Sequence, residues 1–391
     1  MKKLILFVSL LLTIISCTDK KTQTKGGDIA DSTAVGAATQ QEGEATAQED
    51  DYDLEAIAKV IEGCEDLGSF SYGLAGVKKG DKVGYIDKKG RTVIPFEYDG
   101  PIQDFSDGIV TVFKGDDNIY MDPTGKELFR TQRFGRFNDG LSQERSENGL
   151  IGFKDKTGKL VIPAQFDYAG EFSDGMCWVT KPGSDDIGYI DTTGKLVVPC
   201  LYAWPTERSP TDFHEGLCCV MVDADNERFA FIDKTGKRAF PAFYNNEANF
   251  HEGLAYVWEV IPGDENESKQ GYIDKTGKMV LQLEDECWGR DFCDGLAIVI
   301  KHGKPLYAID KTGKKVFDID PKYLSVEHYG DGAWMVLDGE NMGYIDQTGK
   351  TIVPCQYYAY KPFSEGLVAL QDKRQGRWGF ADKKGRTTFD Y

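Results

Sequence analysis

Histidine is scarce in this chain, and the motifs that usually carry catalysis are missing from it. Only four of the 391 residues are histidine. The sequence has no phosphate-binding loop, no nucleophile motif, no zinc-binding helix and no C-x-x-C pair. Carboxylates are plentiful, but no two of them stand out as the acid and base of a glycosidase. We therefore expect no catalytic residue, no metal and no cofactor.

Positive charge is also in deficit. Lysine and arginine together number 46 against 64 aspartates and glutamates, which gives a formal net charge of −18. Removal of Lys2 and Lys3 with a signal peptide would take this value to −20. Such an acidic chain is a poor partner for nucleic acid and for the surface of an anionic membrane.

What the chain does contain is a repeat of about 35 residues, a period typical of stacked arrays. One half of the repeat reads F-S-D-G-L before an apolar run, and the other reads G-Y-I-D-K-T-G-K before I-P and an aromatic residue. Each half occurs nine times. The glycine of the first half is Gly73, Gly108, Gly140, Gly175, Gly216, Gly253, Gly295, Gly332 and Gly366, and the aspartate of the second is Asp87, Asp122, Asp155, Asp191, Asp233, Asp274, Asp310, Asp346 and Asp382.

Each repeat predicts three short β-strands. Ile109 to Phe113 is a nearly continuous apolar run, as in strands covered on both faces. The second and third strands flank Asp87 to Gly90, where aspartate suits the start of a type I turn and glycine its end. We expect the same hairpin at Asp274 to Gly277, and we expect the following proline to end the third strand.

A phenylalanine before most of the F-S-D-G turns is predicted to pack between neighbouring repeats, because one repeat cannot bury it alone. These residues are Phe105, Phe137, Phe172, Phe213, Phe250, Phe292 and Phe363.

Together these motifs resemble the WG-containing repeat family of bacteria, over residues 70–391. The Trp-Gly pair that gives the family its name survives only at Trp378-Gly379, and the second, sixth and seventh repeats lack the I-P step. The resemblance implies a β-rich repeat domain used for interaction, without known catalytic residues.

The predicted fold is all-β, a tandem array of nine three-stranded β-hairpin units. We prefer an open, twisted solenoid to the alternative, a closed propeller-like ring. Propeller blades usually have four strands and about 40–45 residues, with about four to eight blades.

The N-terminus carries an export signal. Residues 1–16 combine a basic start with a short apolar core, and the ending Ile14-Ile15-Ser16-Cys17 resembles a bacterial lipoprotein signal. The resemblance implies lipid on Cys17, whereas the alternative is an ordinary secretory signal with a chance cysteine. Residues 17–52 are predicted to be a lipidated cysteine and disordered tether, and residues 53–69 a capping helix, with Asp53 as its N-cap, and lead-in.

Two sets of polar residues invite a binding hypothesis. The acids of the F-S-D-G turns could align to bind Ca²⁺, although we expect each to cap its own turn and face water. His214 and His251 occupy the same turn position in adjacent repeats and should lie close together, yet a metal needs more ligands.

The eight cysteines after Cys17 fit small core residues better than disulfides, although disulfides remain possible in an exported protein. They are Cys64, Cys177, Cys200, Cys218, Cys219, Cys287, Cys293 and Cys355.

Exposed aromatic residues are the better candidates for a binding surface, since they could stack on sugar rings or anchor a protein partner. Trp204 lies in a lengthened loop between Tyr202 and Asp212, and insertions on one side of an array commonly form its binding face. Tyr357, Tyr358 and Tyr360 form a second candidate group.

The sequence thus favours an envelope lipoprotein, on the outer rather than the inner membrane, whose repeats bind an unknown protein or glycan at the periplasm or cell surface. The alternatives are a structural spacer of the envelope or a glycan-processing enzyme. The longest loops have only about ten residues, too few for a hidden enzyme domain.

Overall fold

A computed structural model describes residues 51–132, 135–203, 211–261, 263–328, 330–358, 361–373 and 376–391, without the side chains of 264–268. All of them belong to one compact unit, Asp51–Tyr391. The predicted signal peptide, Cys17 and nearly all of the tether lie outside the described residues, as do Trp204 and Tyr360. None of the helices among the described residues has the length and apolar character needed to cross a bilayer.

The described residues form nine small antiparallel sheets, which we number one to nine along the chain. Sheet one contains β1 (Asp66–Leu67), β2 (Leu74–Lys79), β3 (Lys82–Asp87) and β4 (Thr92–Tyr98); sheet two β5 (Val110–Lys114), β6 (Asp117–Met121) and β7 (Glu127–Thr131); sheet three β8 (Leu141–Arg145), β9 (Ile151–Asp155) and β10 (Leu160–Phe166); sheet four β11 (Met176–Thr180), β12 (Ile187–Asp191) and β13 (Leu196–Tyr202).

The remaining sheets follow the same order. Sheet five contains β14 (Leu217–Asp223) and β15 (Arg228–Asp233); sheet six β16 (Leu254–Ile261), β17 (Asp264–Asp274) and β18 (Met279–Gln282); sheet seven β19 (Cys287–Gly289), β20 (Leu296–Lys301), β21 (Lys304–Asp310) and β22 (Lys315–Asp318); sheet eight β23 (Ser325–His328), β24 (Trp334–Asp338), β25 (Asn341–Ile345) and β26 (Thr351–Tyr357); sheet nine β27 (Leu367–Gln371) and β28 (Trp378–Asp382).

The all-β prediction is confirmed, but the expectation of three strands in every unit is wrong. Sheets one, seven and eight have four strands because the segment that leads into the first hairpin also pairs with it, as β1 pairs with β2. Sheets five and nine have two, because their third-strand segments make only isolated bridges such as Ile232 to Arg238.

The predicted hairpin turns form where the D-K-T-G motif stands. At Asp274 to Gly277, the Gly277 N–H donates to the Asp274 carbonyl at 2.9 Å, and the Asp274 carboxylate accepts from the Thr276 N–H at 2.9 Å. Gly277 has φ of +80°, which side chains with a β-carbon rarely adopt. The hydrogen bond from the Thr276 hydroxyl helps to hold the pKa of Asp274 below its usual value.

We expected from the sequence that the proline of the I-P step would end the third strand, and this prediction is wrong. Pro95 and Pro199 lie inside β4 and β13, at irregularities where the pairing register shifts. The shift moves the proline out of the regular hydrogen-bonded ladder, where its missing N–H would be costly. It also brings the Val198 carbonyl so close to Gly188 that a β-carbon there would lie 2.6 Å from the oxygen.

The phenylalanines of the F-S-D-G turns pack between neighbouring sheets, as predicted. The Phe213 ring meets the edge of the Tyr189 ring in the preceding sheet at 5.0 Å, and the Tyr189 hydroxyl donates to the Thr211 carbonyl at 2.9 Å. Equivalent pairs have ring centroids 4.9–5.8 Å apart. They are Tyr85 and Phe105, Tyr120 and Phe137, Phe153 and Phe172, Phe231 and Phe250, Tyr272 and Phe292, and Tyr344 and Phe363.

The acids of the same turns do not merely face water. Each carboxylate accepts the N–H of the F-S-D-G glycine in the next sheet. The pairs are Asp107 with Gly140, Asp139 with Gly175, Asp174 with Gly216, Glu215 with Gly253, Glu252 with Gly295, Asp294 with Gly332, and Asp331 with Gly366.

Most of these carboxylates also form an ion pair with the lysine of the D-K-T-G turn in the next sheet. Asp174, for example, lies 2.8 Å from the Lys234 ammonium. The expectation that each acid caps its own turn is therefore wrong. These acids have φ of 49–55°, a left-handed backbone conformation. This conformation directs the side chain toward the neighbouring sheet.

The two ends of the array are in contact, and they use the same interactions as neighbouring sheets. Glu365 of sheet nine accepts the Gly73 N–H of sheet one at 3.1 Å and pairs with Lys88 at 3.0 Å. The Phe70 ring lies 5.0 Å from the Phe380 ring. These contacts contradict the preferred open solenoid and agree with the alternative, a closed ring of sheets. We call the interface between sheets nine and one the seam.

Helix α1 (Leu54–Ile61) lies in this seam, rather than on an open end. It begins at the predicted N-cap, where the Asp53 carboxylate accepts the Ala56 N–H at 2.9 Å. Its buried face, Leu54, Ile57 and Ile61, packs with residues of sheets one and nine.

Candidate functional site: a groove at the seam

The candidate aromatic surface is only partly accessible. Tyr357 is 5% exposed and stacks on Phe389 with ring centroids 5.8 Å apart, so its predicted exposure is wrong. The residue sits at the end of β26, where strand alternation turns its side chain into the core. Tyr358 is half-buried, and its N–H donates to the Gln371 carbonyl at 3.0 Å. Trp204 and Tyr360 lie outside the described residues.

The candidate histidines and cysteines come together only in part. The rings of His214 and His251 lie 5.4 Å apart, as predicted from their shared turn position. Over the described ranges, no group of three or more His, Cys, Asp or Glu residues is placed to hold a metal ion. Seven of the cysteines are free thiols that are buried or half-buried, consistent with small core residues: Cys64, Cys177, Cys200, Cys218, Cys219, Cys287 and Cys355.

In every sheet we call the strand before the D-K-T-G turn the second strand and the segment after that turn the third strand, so the lead-in strands β1, β19 and β23 are not counted. A more specific feature appears where the second strand of each sheet begins. In sheet one, Tyr98 of the third strand pairs with Val83, and in sheet five the backbones of Tyr244 and Phe229 exchange two hydrogen bonds of 2.9 Å. Sheets one to eight all place a third-strand residue there, and five of the eight are aromatic. They are Tyr98, Thr131, Phe166, Tyr202, Tyr244, Leu283, Ile319 and Tyr357.

Sheet nine differs at this position. After the turn at Asp382, a short 3-10 helix (Thr388–Asp390) replaces the third strand, and the Thr388 hydroxyl accepts the Phe380 N–H at 2.8 Å. Phe389 packs against Gly379, where a β-carbon would lie 2.7 Å from its ring. Trp378, which corresponds to Val83, pairs with no described third-strand residue.

The backbone of Trp378 faces this open edge. The N–H groups of Phe380 and Asp382 point to the third-strand side, where they donate to Thr388 and to the Arg386 carbonyl. Backbone groups two residues apart in a strand point the same way, so the N–H and C=O of Trp378 point there too. None of the described residues forms a hydrogen bond with either group on that side. Only its indole Nε1 is bonded there, to the Glu65 carbonyl at 2.9 Å.

A groove of about 420 Å³ opens beside Trp378. Helix α1 forms one wall through Glu55, Ala58, Lys59, Ile61 and Glu62, the turn Gly63-Cys64 forms the floor, and the C-terminal side contributes Arg377, Trp378, Thr388, Phe389 and Tyr391. We call it the seam groove. Its volume is within the roughly 300–1,000 Å³ typical of ligand pockets.

The floor of the seam groove is formed by small residues. The Glu65 N–H donates to the Lys78 carbonyl, as the Asp99 N–H donates to the Phe113 carbonyl in the next sheet. Cys64 therefore holds the chain position that Tyr98 holds before Asp99. Burial raises the pKa of the Cys64 thiol to about 11, so it stays protonated and apolar at neutral pH.

The two cationic residues that line the groove, Lys59 and Arg377, each have an acidic partner within the chain. Lys59 lies 2.7 Å from Glu55, and the Arg377 Nε lies 3.2 Å from Asp372. The Arg377 guanidinium also lies 5.6 Å from the centre of the Phe389 ring. The groove thus offers aromatic surface, one strand edge and little net charge. In the sequence, the retained Trp378-Gly379 pair and the missing I-P step after it were the signals of this site.

Comparison with known proteins identifies the repeats. The model of a family described as "WG containing repeat" matches six segments, residues 60–82, 84–116, 151–183, 187–224, 271–304 and 342–372. No curated protein sequence matches the chain significantly.

Among solved structures, a eukaryotic initiation factor is similar with a TM-score of 0.55 and 9% identity, over 80% of this chain and 93% of that one. BamB from Moraxella catarrhalis is similar with a TM-score of 0.38 and 12% identity, over 78% of this chain and 93% of BamB. The first similarity concerns the fold alone, and the second is too weak to define a shared fold.

Proposed function

Because this chain belongs to the WG-containing repeat family, we propose that it is a non-catalytic binding module, tethered to a bacterial membrane through a lipid on Cys17. We infer that the nine sheets are nine copies of one repeat, and that the ring they form presents a protein- or glycan-binding site. The observation that carries the proposal is the seam groove, with the free backbone edge of Trp378 on one wall.

The form of the groove supports binding rather than a purely structural role. The contacts that hold neighbouring sheets together are the aromatic pairs and the acid–glycine bonds, and the seam has both without filling the groove. An accessible concave surface lined by Trp378, Phe389 and Tyr391 is typical of recognition sites, in which aromatic residues contribute most of the binding energy.

Affinity capture tests this proposal. The full-length chain, solubilised in detergent and immobilised, is exposed to envelope extract from its source cells, and a Cys64→Tyr variant with a filled groove is the matched control. We expect the parent to retain an envelope component that the variant retains at least tenfold less. Failure of both proteins to retain any component would favour the spacer. Shortening of a retained glycan on incubation would instead favour the enzyme.

Membrane attachment has its own test. A Cys17→Ala substitution should move the protein from the membrane fraction to the soluble fraction, because several acyl chains on one residue give firm anchoring. Cys355→Ala, at a half-buried thiol, is the control and should stay in the membrane fraction. Membrane retention of the Cys17→Ala variant, together with a parent that incorporates no labelled lipid, would contradict the anchor.

A further inference from the structure

We propose that the seam groove binds an extended peptide segment of a partner protein, which inserts one aromatic side chain beside Trp378. This inference rests on the proposed binding function and specifies its ligand. The ligand would pair with the backbone of Trp378 at the seam, as Tyr98 pairs with Val83 in sheet one and Tyr244 with Phe229 in sheet five.

The backbone of Trp378 favours a peptide ligand. The N–H and C=O of Trp378 point into the groove and lack partners among the described residues. At Phe229 the same two groups bond the backbone of Tyr244. An extended peptide supplies a carbonyl and an N–H at the spacing of one residue, as in other proteins that bind peptides by strand addition. A sugar or an aliphatic ligand does not offer this matched pair.

The space beside Trp378 favours an aromatic side chain in that peptide. Sheets one to eight put a side chain as large as tyrosine or phenylalanine at this position in five cases. The seam puts Cys64 there, beside Gly63 and Ala58, and the groove of about 420 Å³ remains. Phe389 and Trp378 flank this space, so an inserted aromatic ring would have aromatic neighbours, and ring pairs of this kind add to the affinity gained by burial alone.

The charges at the rim of the groove do not favour an anionic ligand. Lys59 and Arg377 each have an acidic partner within the chain, Glu55 and Asp372. The rim therefore has no unmatched cation that would select a phosphate or an acidic tail. Recognition by shape and backbone pairing predicts that affinity changes little with salt, in contrast to binding governed by surface charges.

The experiment uses two capped, fluorescently labelled pentapeptides and the full-length protein in detergent. The first has the sequence of residues 96–100, Phe-Glu-Tyr-Asp-Gly, and the second has alanine in place of its tyrosine. Fluorescence anisotropy should show binding of the tyrosine peptide and at least tenfold weaker binding of the alanine peptide. Cys64→Tyr, which restores the side chain found at Tyr98, should fold normally and bind the tyrosine peptide at least tenfold more weakly. Leu201→Ser, on the exposed third strand of sheet four, is the control that should bind like the parent.

Hydrogen exchange gives a second readout that does not depend on a variant. Binding of the tyrosine peptide should slow exchange of the Trp378 amide, because that N–H gains an acceptor. No binding at about 1 mM, which corresponds to about −4 kcal/mol, would overturn the inference, as would equal binding of the alanine peptide or an unprotected Trp378 amide.

The two proposals can fail separately. An envelope component retained equally by the parent and by Cys64→Tyr would leave a binding module whose site lies elsewhere. Competition by a soluble glycan but not by the tyrosine peptide would show that the groove binds sugar. Peptide binding without any retained envelope component would support the groove and contradict the envelope function.

Discussion

The seam and the interface between sheets one and two achieve the same packing with different parts. At the interface, Tyr72 stands where the other turns carry an acid and Pro123 stands where most carry a lysine, so neither the acid–glycine bond nor the ion pair forms. The interface keeps the Tyr85–Phe105 ring contact and a hydrogen bond from the Ser71 hydroxyl to the Phe105 carbonyl at 3.3 Å.

The seam, which no peptide bond crosses, keeps the full set. Glu365 bonds both Gly73 and Lys88, Phe70 packs on Phe380, and α1 adds an apolar face. Sheets one and two are held together by the chain itself, which keeps their effective concentration high even when a contact is lost. We conclude that side-chain contacts contribute most to holding neighbouring sheets together where the chain does not connect them covalently.

The largest effect that would test this comparison is removal of a ring. Phe70→Ala at the seam and Phe105→Ala at the first interface each delete a buried phenylalanine, at a cost of about 3–5 kcal/mol. Phe70→Ala should also open the ring, so hydrogen exchange should speed up in sheets one and nine together. Phe105→Ala should show only a local increase. Identical exchange patterns in the two variants would show that the seam has no special role.

Removal of the seam carboxylate should have an intermediate effect. Glu365→Ala deletes the acceptor for Gly73 and the partner of Lys88, and we expect a loss of about 1.5–3 kcal/mol in the free energy of unfolding. The control is Asp139→Ala, which removes the acceptor of the Gly175 N–H at an interface that the chain crosses. The lysine position of the D-K-T-G turn in that sheet holds Thr192, so this acid has no equivalent lysine partner in the sequence. Chemical denaturation that ranks the control as the more harmful change would contradict the comparison.

The smallest effect is a gain. Tyr72→Asp places an acid at the position that lacks one, in a residue with φ of +53° that aspartate tolerates better than tyrosine. Its carboxylate should accept the Gly108 N–H and stabilise the protein by about 0.5–1 kcal/mol, measured as a rise in melting temperature. Adding Pro123→Lys should increase the gain. A lowered melting temperature in both variants would show that the Tyr72 ring, 6.1 Å from Phe105, contributes more than the missing acid would.

Local features of the fold were predictable because their causes are local. The Asp87 to Gly90 turn, the N-cap at Asp53 and the packing of Phe172 each follow from a few neighbouring residues. Closure of the ring was not predictable, because it depends on the angle between successive sheets, which accumulates over the whole array. The role of Asp174 was misjudged for a related reason: its positive φ, which aims the carboxylate at the next sheet, is not visible in the sequence.

The site was harder to predict than the fold. Tyr357 was grouped with Tyr358 and Tyr360 as a candidate binding surface, but the alternation of side chains along β26 turns it into the core. The seam groove depends on Trp378 and Cys64, which are more than 300 residues apart in the sequence and meet only when the ring closes. What the sequence did contain was an anomaly in the last repeat, where Trp378-Gly379 is the only Trp-Gly pair at the motif position and no I-P step follows it.

Helix α1 has a mechanical consequence. Tension applied to the chain upstream of Asp53 enters the ring beside the Tyr52 hydroxyl, which donates to Asp382 at 3.0 Å, and then passes into the helix. A pull from that end would draw the helix away from sheets one and nine before it strained any other sheet. If Cys17 is anchored to a membrane as proposed, the seam would be the first part of the ring to yield under load, and its groove would deform with it.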